Sequence, residues 1–204
     1  SLIVGLFVGV SALFGWRYYV EQSNTQSVMA SDLYMQVLQG TNSGNIDDKT
    51  IDIHNQLIND YSDTPYASLA SLALAKTEYE NSNTDGAVTQ LELAVKHAND
   101  EVIKQIANLR LVRVYIEQKK FDEAMAILNM KHAPAYDAQY EELKGDVYGA
   151  QGDIAQARLA YDKAIELQGI AASKWLRLKR QNLGLGTATE DLSATGNAEN
   201  SLNS

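Results

Sequence analysis

The sequence predicts an all-α protein, with an N-terminal transmembrane helix followed by a solenoid of paired helices. Three observations carry that reading. Leu2 to Gly15 is an apolar run interrupted only by Ser11. Beyond residue 20, apolar residues recur at helical spacing in segments separated by short polar turns. No segment alternates polar and apolar residues long enough to read as a strand. Only two prolines and a hydrophobic share of 45% in 204 residues leave room for long helices and a sizeable core.

The predicted anchor covers residues 1–20. At ~1.5 Å per residue, Leu2 to Gly15 spans about 21 Å, short of the ~30 Å hydrocarbon layer. The chain opens at Ser1 rather than Met, so the span is expected to begin upstream. Trp16-Arg17-Tyr18-Tyr19 then supplies an aromatic belt and a snorkelling cation, as at a membrane–water boundary. A cleaved signal peptide is the competing reading, and Val28-Met29-Ala30 resembles a cleavage site. The polar stretch Glu21 to Ser27 places it too far from the apolar run. Gly5 and Gly9 form a G-x-x-x-G pair, and Ala12 continues the same face. Small residues of this kind let membrane helices pack closely, which makes the three candidates for helix–helix contact. Glycine is common in membrane spans, so the pair can equally lack a dedicated partner.

Each later segment has its own start and stop signals. Val28 to Leu38 puts Met29, Leu33 and Val37 on one face, and Gly40 to Gly44 ends it. Asp47 or Asp48 can cap a helix carrying Ile51, His54, Leu57, Ile58 and Tyr61. Thr64 is the expected N-cap of the next, with Pro65 at its first position and an Ala/Leu-rich body from Tyr66 to Tyr79. Asp85 to His97 follows, then Glu101 to about Gln118 behind the cap Asn99-Asp100. Phe121 to Asn129, Ala135 to Ala150, Ile154 to Leu167 and Ala171 to Leu183 complete the set. The helical domain thus spans 21–184. Residues 185–204 have few apolar anchors and read as a disordered tail.

The helices pair at a repeat interval. From Ala138 to Ala171, small and aromatic residues fall at fixed offsets: Gly145, Tyr148, Gly152, Ala157, Tyr161 and Ala164. These are the landmarks of a 34-residue tetratricopeptide repeat. Gly145 and Ala157 are expected where the paired helices touch, with Tyr148 and Tyr161 filling the gaps between neighbours. A second copy lies 33 residues earlier, with Leu111, Tyr115 and Ala124 in register and Lys119 in place of the turn glycine. A third lies 37 residues before that, marked by Leu74, Ala87, Leu91 and Ala94.

Several chemistries are excluded or unsupported. There is no cysteine, which removes disulfides, thiol catalysis and Cys-ligated zinc. The net charge is −9, and with Arg17 the only charge in the first 20 residues, the remainder carries 16 basic against 26 acidic side chains, or −10. Such a surface repels nucleic acid and anionic lipid headgroups at long range. His54 and His132 lack a second histidine or carboxylate at i+3 or i+4, and the Asp100 and Glu101 that follow His97 belong to the cap and first turn of the next helix, so no metal face is expected. No phosphate-binding glycine loop, nucleophile elbow or zincin motif occurs. No catalytic, cofactor or metal site is therefore expected.

Recognition remains. In a solenoid of helix pairs the first helix of each pair lines a groove. The groove offsets here hold Lys76 and Tyr79, then Arg113 and Glu117, then Glu142 and Asp146, which become the candidate partner-binding residues. Tyr79 can instead cap the core, with the charges merely solvated. The last helix gathers Lys174, Trp175, Arg177, Lys179 and Arg180. Its cations suit a helix C-terminus and Trp175 can seal the solenoid end; the alternative is a basic face turned to lipid or to an acidic partner.

The segments VGLFVGVSALFGWRYY, ASLASLALAK, NLRLVRVYIEQKKFDEAMAIL and LKGDVYGAQGDIAQARLAYDKAI together resemble the YfgM family. The similarity covers about residues 2–184, and the G-W-R-Y boundary and the N-L-R-L-x-R-V stretch are its most specific parts. The resemblance implies a bacterial inner-membrane protein with a cytoplasmic N-terminus, a single span and a periplasmic repeat domain. It further implies a non-enzymatic accessory of the SecYEG translocon that works with PpiD, a membrane-anchored periplasmic chaperone, and possible contact with unfolded secretory polypeptides. The alternative keeps the fold but faces the cytoplasm, as a receptor or regulator scaffold.

Overall fold

The computed structural model describes residues 25–183 apart from 43 and 45. The predicted anchor, with Gly5, Gly9 and Ala12, and the predicted tail lie outside the described residues. Among the described residues every regular element is helical, and no helix is long and apolar enough to cross a membrane. The first helix, α1, occupies 25–41. It is followed by α2 (Asp48–Asp60), α3 (Pro65–Glu80), α4 (Thr84–His97), α5 (Glu101–Glu117), α6 (Phe121–Leu128), α7 (Asp137–Gln151), α8 (Ile154–Gln168) and α9 (Lys174–Gln181). The chain divides into two compact units, Ser1–Ala107 and Asn108–Ser204, with the boundary inside α5.

In the first unit Asp47 is the cap that α2 uses, its Oδ1 accepting from the Thr50 backbone at 2.8 Å. The buried face of α2 is Thr50, His54 and Leu57. Ile51, one of the apolar residues the helix carries, is 43% exposed. The reason is Gly40: a Cβ there would run into the Thr50 side chain, so the end of α1 closes directly onto Thr50. Met29 is likewise turned outward, and Ala30 takes the buried position beside Val37. These pack with Leu57, Ala70 and Leu74 into a core flanked by Leu33, Tyr34, Ile53, Tyr61 and Tyr66.

Helix α3 has Thr64 at its N-cap and Pro65 in its first turn. The Thr64 hydroxyl does not cap; it donates backwards to the Tyr61 carbonyl at 2.7 Å. Small side chains let α3 bury most of its circumference: Ala67, Ser68, Ala70, Ser71, Ala75 and Thr77 all lie inside with Leu72 and Leu74. The buried hydroxyls of Ser68, Ser71 and Thr77 bond back to the carbonyls of Pro65, Ala67 and Ala73, which avoids orphaned polar atoms. Helix α3 packs extensively on α4.

In the second unit α7 and α8 form the equivalent pair. Gly145 has no room for a Cβ, because the Tyr161 ring lies against it. Gly145 therefore lies at the close approach of α7 and α8, against the Tyr161 ring, and Ala157 is buried on α8. The last helix starts later than predicted, since a 3-10 turn at Gly169–Ala171 intervenes and Ser173 Oγ accepts from Leu176 N at 3.1 Å. Leu176, not Trp175, seals this end: it is fully buried against Ala157, Tyr161 and Ala164, whereas Trp175 is 66% exposed.

Three helix–helix connections, α3 to α4, α5 to α6 and α7 to α8, share one turn. Ser82, Lys119 and Gly152 all take positive φ, at 62°, 58° and 84°. In each, the following amide bonds back five residues: Asn83 to Glu78, Lys120 to Tyr115 and Asp153 to Tyr148, at 2.8, 2.8 and 2.9 Å. This closes the first helix in the same left-handed cap every time. Asn83 and Asp153 then cap the second helix through their side chains, accepting from Gly86 N and Gln156 N. Lys120 makes no such bond. The middle repeat is the one whose turn lacks both signature residues.

Candidate interaction surfaces

Lys76 and Tyr79 sit on the exposed side of α3, near its C-terminal end. Lys76 Nζ lies 3.5 Å from Glu80 in an open i,i+4 pair, and Tyr79 is 47% exposed. Tyr79 is thus about half open to solvent. In the second unit Arg113 and Glu117 share the exposed side of α5. The Arg113 guanidinium reaches back to the Leu109 carbonyl at 3.3 Å, which steadies the side chain along its own helix.

Glu142 and Asp146 are placed differently. Both point at Lys179 of α9, whose Nζ lies 3.0 Å from Glu142 Oε1 and 2.8 Å from each Asp146 oxygen. Asp146 also accepts a 2.7 Å hydrogen bond from the Tyr161 hydroxyl. All four side chains are largely shielded from water. Burial pulls the Lys179 pKa down, but the bonds and charges of Asp146 and Glu142 outweigh it and hold it above an ordinary lysine. Burial, and then the same Asp146, push the Tyr161 phenol up. The two acids read from the sequence as groove residues are thus held by an internal cation.

Sequence reasoning did not find Lys179 or Tyr161 as partners of these acids. Their offsets from Asp146 are those of the next helices in the repeat, so the signal was present, but it reads as spacing rather than as charge pairing. A neighbouring network joins Glu141 to Lys144 at 3.2 Å and to Lys163 at 2.9 Å. Burial opposes ionisation of Glu141, yet the two lysines hold its carboxyl below the usual range.

His54 and His132 serve local structure. His54 Nε2 lies 2.8 Å from Ser71 Oγ, deep between α2 and α3. Because the Ser71 hydroxyl donates to the Ala67 carbonyl, the imidazole N–H is the donor in this contact. Burial, aided by nearby His97, pushes His54 down to about 4. His132 stacks on Tyr140 at 3.7 Å between ring centroids and meets Asp137 at 3.1 Å, a pairing at i+5. Among the described residues no group of three or more His, Asp or Glu side chains is arranged to hold a metal ion.

Comparison with known proteins agrees with this architecture. The family model described as a tetratricopeptide repeat-like domain matches residues 1–185. A protein of Escherichia coli (strain K12) named ancillary SecYEG translocon subunit is 29% identical over 186 residues, covering 91% of this chain and 89% of that protein. A protein of the same name from Haemophilus influenzae is 29% identical over 184 residues, covering 90% and 89%. One from Neisseria gonorrhoeae is 34% identical over 100 residues, about half of each chain. No solved structure matches the chain. With near-complete coverage by its relatives, the chain belongs to the tetratricopeptide repeat-like family of ancillary SecYEG translocon subunits, the YfgM family.

Proposed function

We propose that this protein is a non-enzymatic, membrane-anchored accessory of the Sec translocon. Its repeat domain lies in the periplasm and binds other proteins, PpiD first among them. The observation that carries this reading is the match to relatives named ancillary SecYEG translocon subunits along about nine-tenths of both chains. The anchor over residues 1–20, with Gly5, Gly9 and Ala12 as its packing face, connects the domain to the translocon helices in this reading.

Lys76, Tyr79, Arg113 and Glu117 are the proposed partner-facing residues, since the first helix of each pair presents them outward. Glu142 and Asp146 support binding indirectly, by holding α9 in place. Unfolded secretory polypeptides are the second class of ligand such a surface would take. The test is crosslinking in intact membranes with the full-length chain, followed by purification and mass spectrometry. Translocon subunits and PpiD should be captured by the wild type. Tyr79→Ala and Arg113→Ala should each weaken PpiD capture, a true anchor being worth over ~1–2 kcal/mol. Arg158→Ala, on the exposed side of α8, is the control. Equal capture by all three variants would remove these residues from the site.

A further inference from the structure

The outer side of α9 carries a feature that the surfaces above do not use. One side of α9 is fastened down: Leu176 is fully buried, Lys179 holds Asp146, and Arg180 grips Asp162 through two bonds of 2.8 and 3.1 Å. The opposite side presents Lys174, Trp175 and Arg177, all exposed. Immediately before it, Ile170 stands at 103% exposure in the turn Gly169–Ala171. Lys174 and Arg177 enter no ion pair among the described residues; Arg177 Nη2 approaches the Gly169 carbonyl at 3.5 Å.

Two large apolar side chains and two cations therefore crowd nine residues of a chain whose net charge is −9. Exposed apolar groups bracketed by cations call for an occupant that is apolar within and anionic at its surface. The shape decides which. Ile170 and Trp175 project outward from a turn and a short helix, and a protruding apolar pair needs a matching pocket in a protein but none in a fluid bilayer. Tryptophan also rests favourably at the headgroup level, with lysine and arginine reaching the phosphates. We propose that residues 169–177 are a membrane-surface contact, with Ile170 and Trp175 entering the headgroup boundary of a bilayer containing anionic phospholipid. Lys174 and Arg177 meet the lipid phosphates there. The acidity of the remaining surface confines the contact to this corner.

The test is local, so an anchor elsewhere in the chain does not confuse it. Trp16→Phe leaves Trp175 as the one tryptophan of these 204 residues. This protein is incorporated into phosphatidylcholine vesicles with or without phosphatidylglycerol, part of the lipid carrying brominated chains. With phosphatidylglycerol present, Trp175 emission should shift to shorter wavelength, be quenched by the brominated chains and become several-fold less accessible to iodide. K174E/R177E should restore iodide access. Ile170→Ser, at a fully exposed position, should reduce the bromine quenching without changing thermal melting. Trp175 as open to iodide on anionic vesicles as in detergent would overturn the assignment. Shielding that appears only when PpiD or translocon subunits are added would also overturn it, and would make the face a protein contact.

Discussion

Lys179 Nζ lies 2.8 Å from both carboxylate oxygens of Asp146, which in turn accepts the Tyr161 hydroxyl at 2.7 Å. One carboxylate thus ties three consecutive helices, α7, α8 and α9. An ion pair on an open surface is worth little, but a partly desolvated one is costly to break, because the remaining charge keeps its burial and loses its partner.

Lys179→Met should therefore destabilise the second unit by about 1–3 kcal/mol in urea unfolding, mostly through the stranded acids. Asp146→Asn should cost a similar amount, and the double variant less than the sum. Because the folded-state pKa of Lys179 is raised, its contribution is complete below the ordinary lysine value and is lost as pH climbs through the folded one. An additive double variant, or a wild type without this alkaline loss, would show that the pair adds nothing.

His54 predicts the opposite end of the pH scale. It is neutral in the fold down to about pH 4, while the unfolded chain takes up the proton near its ordinary value. Protons therefore favour the unfolded state, and stability should fall as pH drops from about 6.5 towards 4, by at most about 1.4 kcal/mol per unit. His54→Leu leaves Ser71 satisfied by its bond to Ala67 and should flatten this dependence. His97, lowered by burial and then by Lys96, adds a smaller change of the same sign. Urea midpoints for both proteins at about pH 7 and about pH 5 decide the matter.

The tight contact between Gly145 and Tyr161 makes a third prediction. Gly145→Val would drive two methyl groups into the ring and should cost at least ~1–3 kcal/mol. Gly149→Ala is the control, since a Cβ there meets its neighbours at ordinary contact, 3.8 Å and beyond. Equal losses from the two would mean that the ring moves aside freely.

The helices were legible because their signals are local. Pro65 behind Thr64, Asp100 ahead of Val102 and Gly152-Asp153 announce their termini within a few residues. The faces were less legible. Thr50 lies inside and Ile51 half outside, because a contact with Gly40 outweighs the preference of isoleucine for burial. Trp175 lies outside and Leu176 inside, where residues 169–173 form a 3-10 turn and cap and α9 starts three positions later than expected. The candidate site was legible as positions but not as partners. Glu142 and Asp146 stand at the offsets of groove residues, and nothing local tells that a lysine 33 residues on from Asp146 reaches it.

Topology gives a fourth prediction, drawn from the proposed function. Protease added to spheroplasts should digest the chain beyond about Ser23 without lysis of the inner membrane. Protection until lysis would place the repeat domain in the cytoplasm and leave the receptor reading standing.

The last prediction concerns the middle repeat, whose turn holds a left-handed lysine. Lys119 sits at φ 58°, the position that Gly152 fills in the next repeat. A side chain in that conformation carries about 1–2 kcal/mol of strain that glycine does not, while glycine loses more backbone entropy on folding. The two effects oppose each other, and the strain is the larger. Lys119→Gly should therefore stabilise the protein by roughly 0.5–1 kcal/mol, read as a higher urea midpoint with an unchanged slope. Gly152→Ala should do the reverse by about the same amount, although open space surrounds its Cβ position, because the strain lies in the backbone and not in a clash. A neutral or destabilising Lys119→Gly would show that Lys119 makes a contact worth more than its strain. Lys119→Ala separates the cases: it keeps the strain and removes the contact, so a loss there would locate the stabilisation in the lysine side chain.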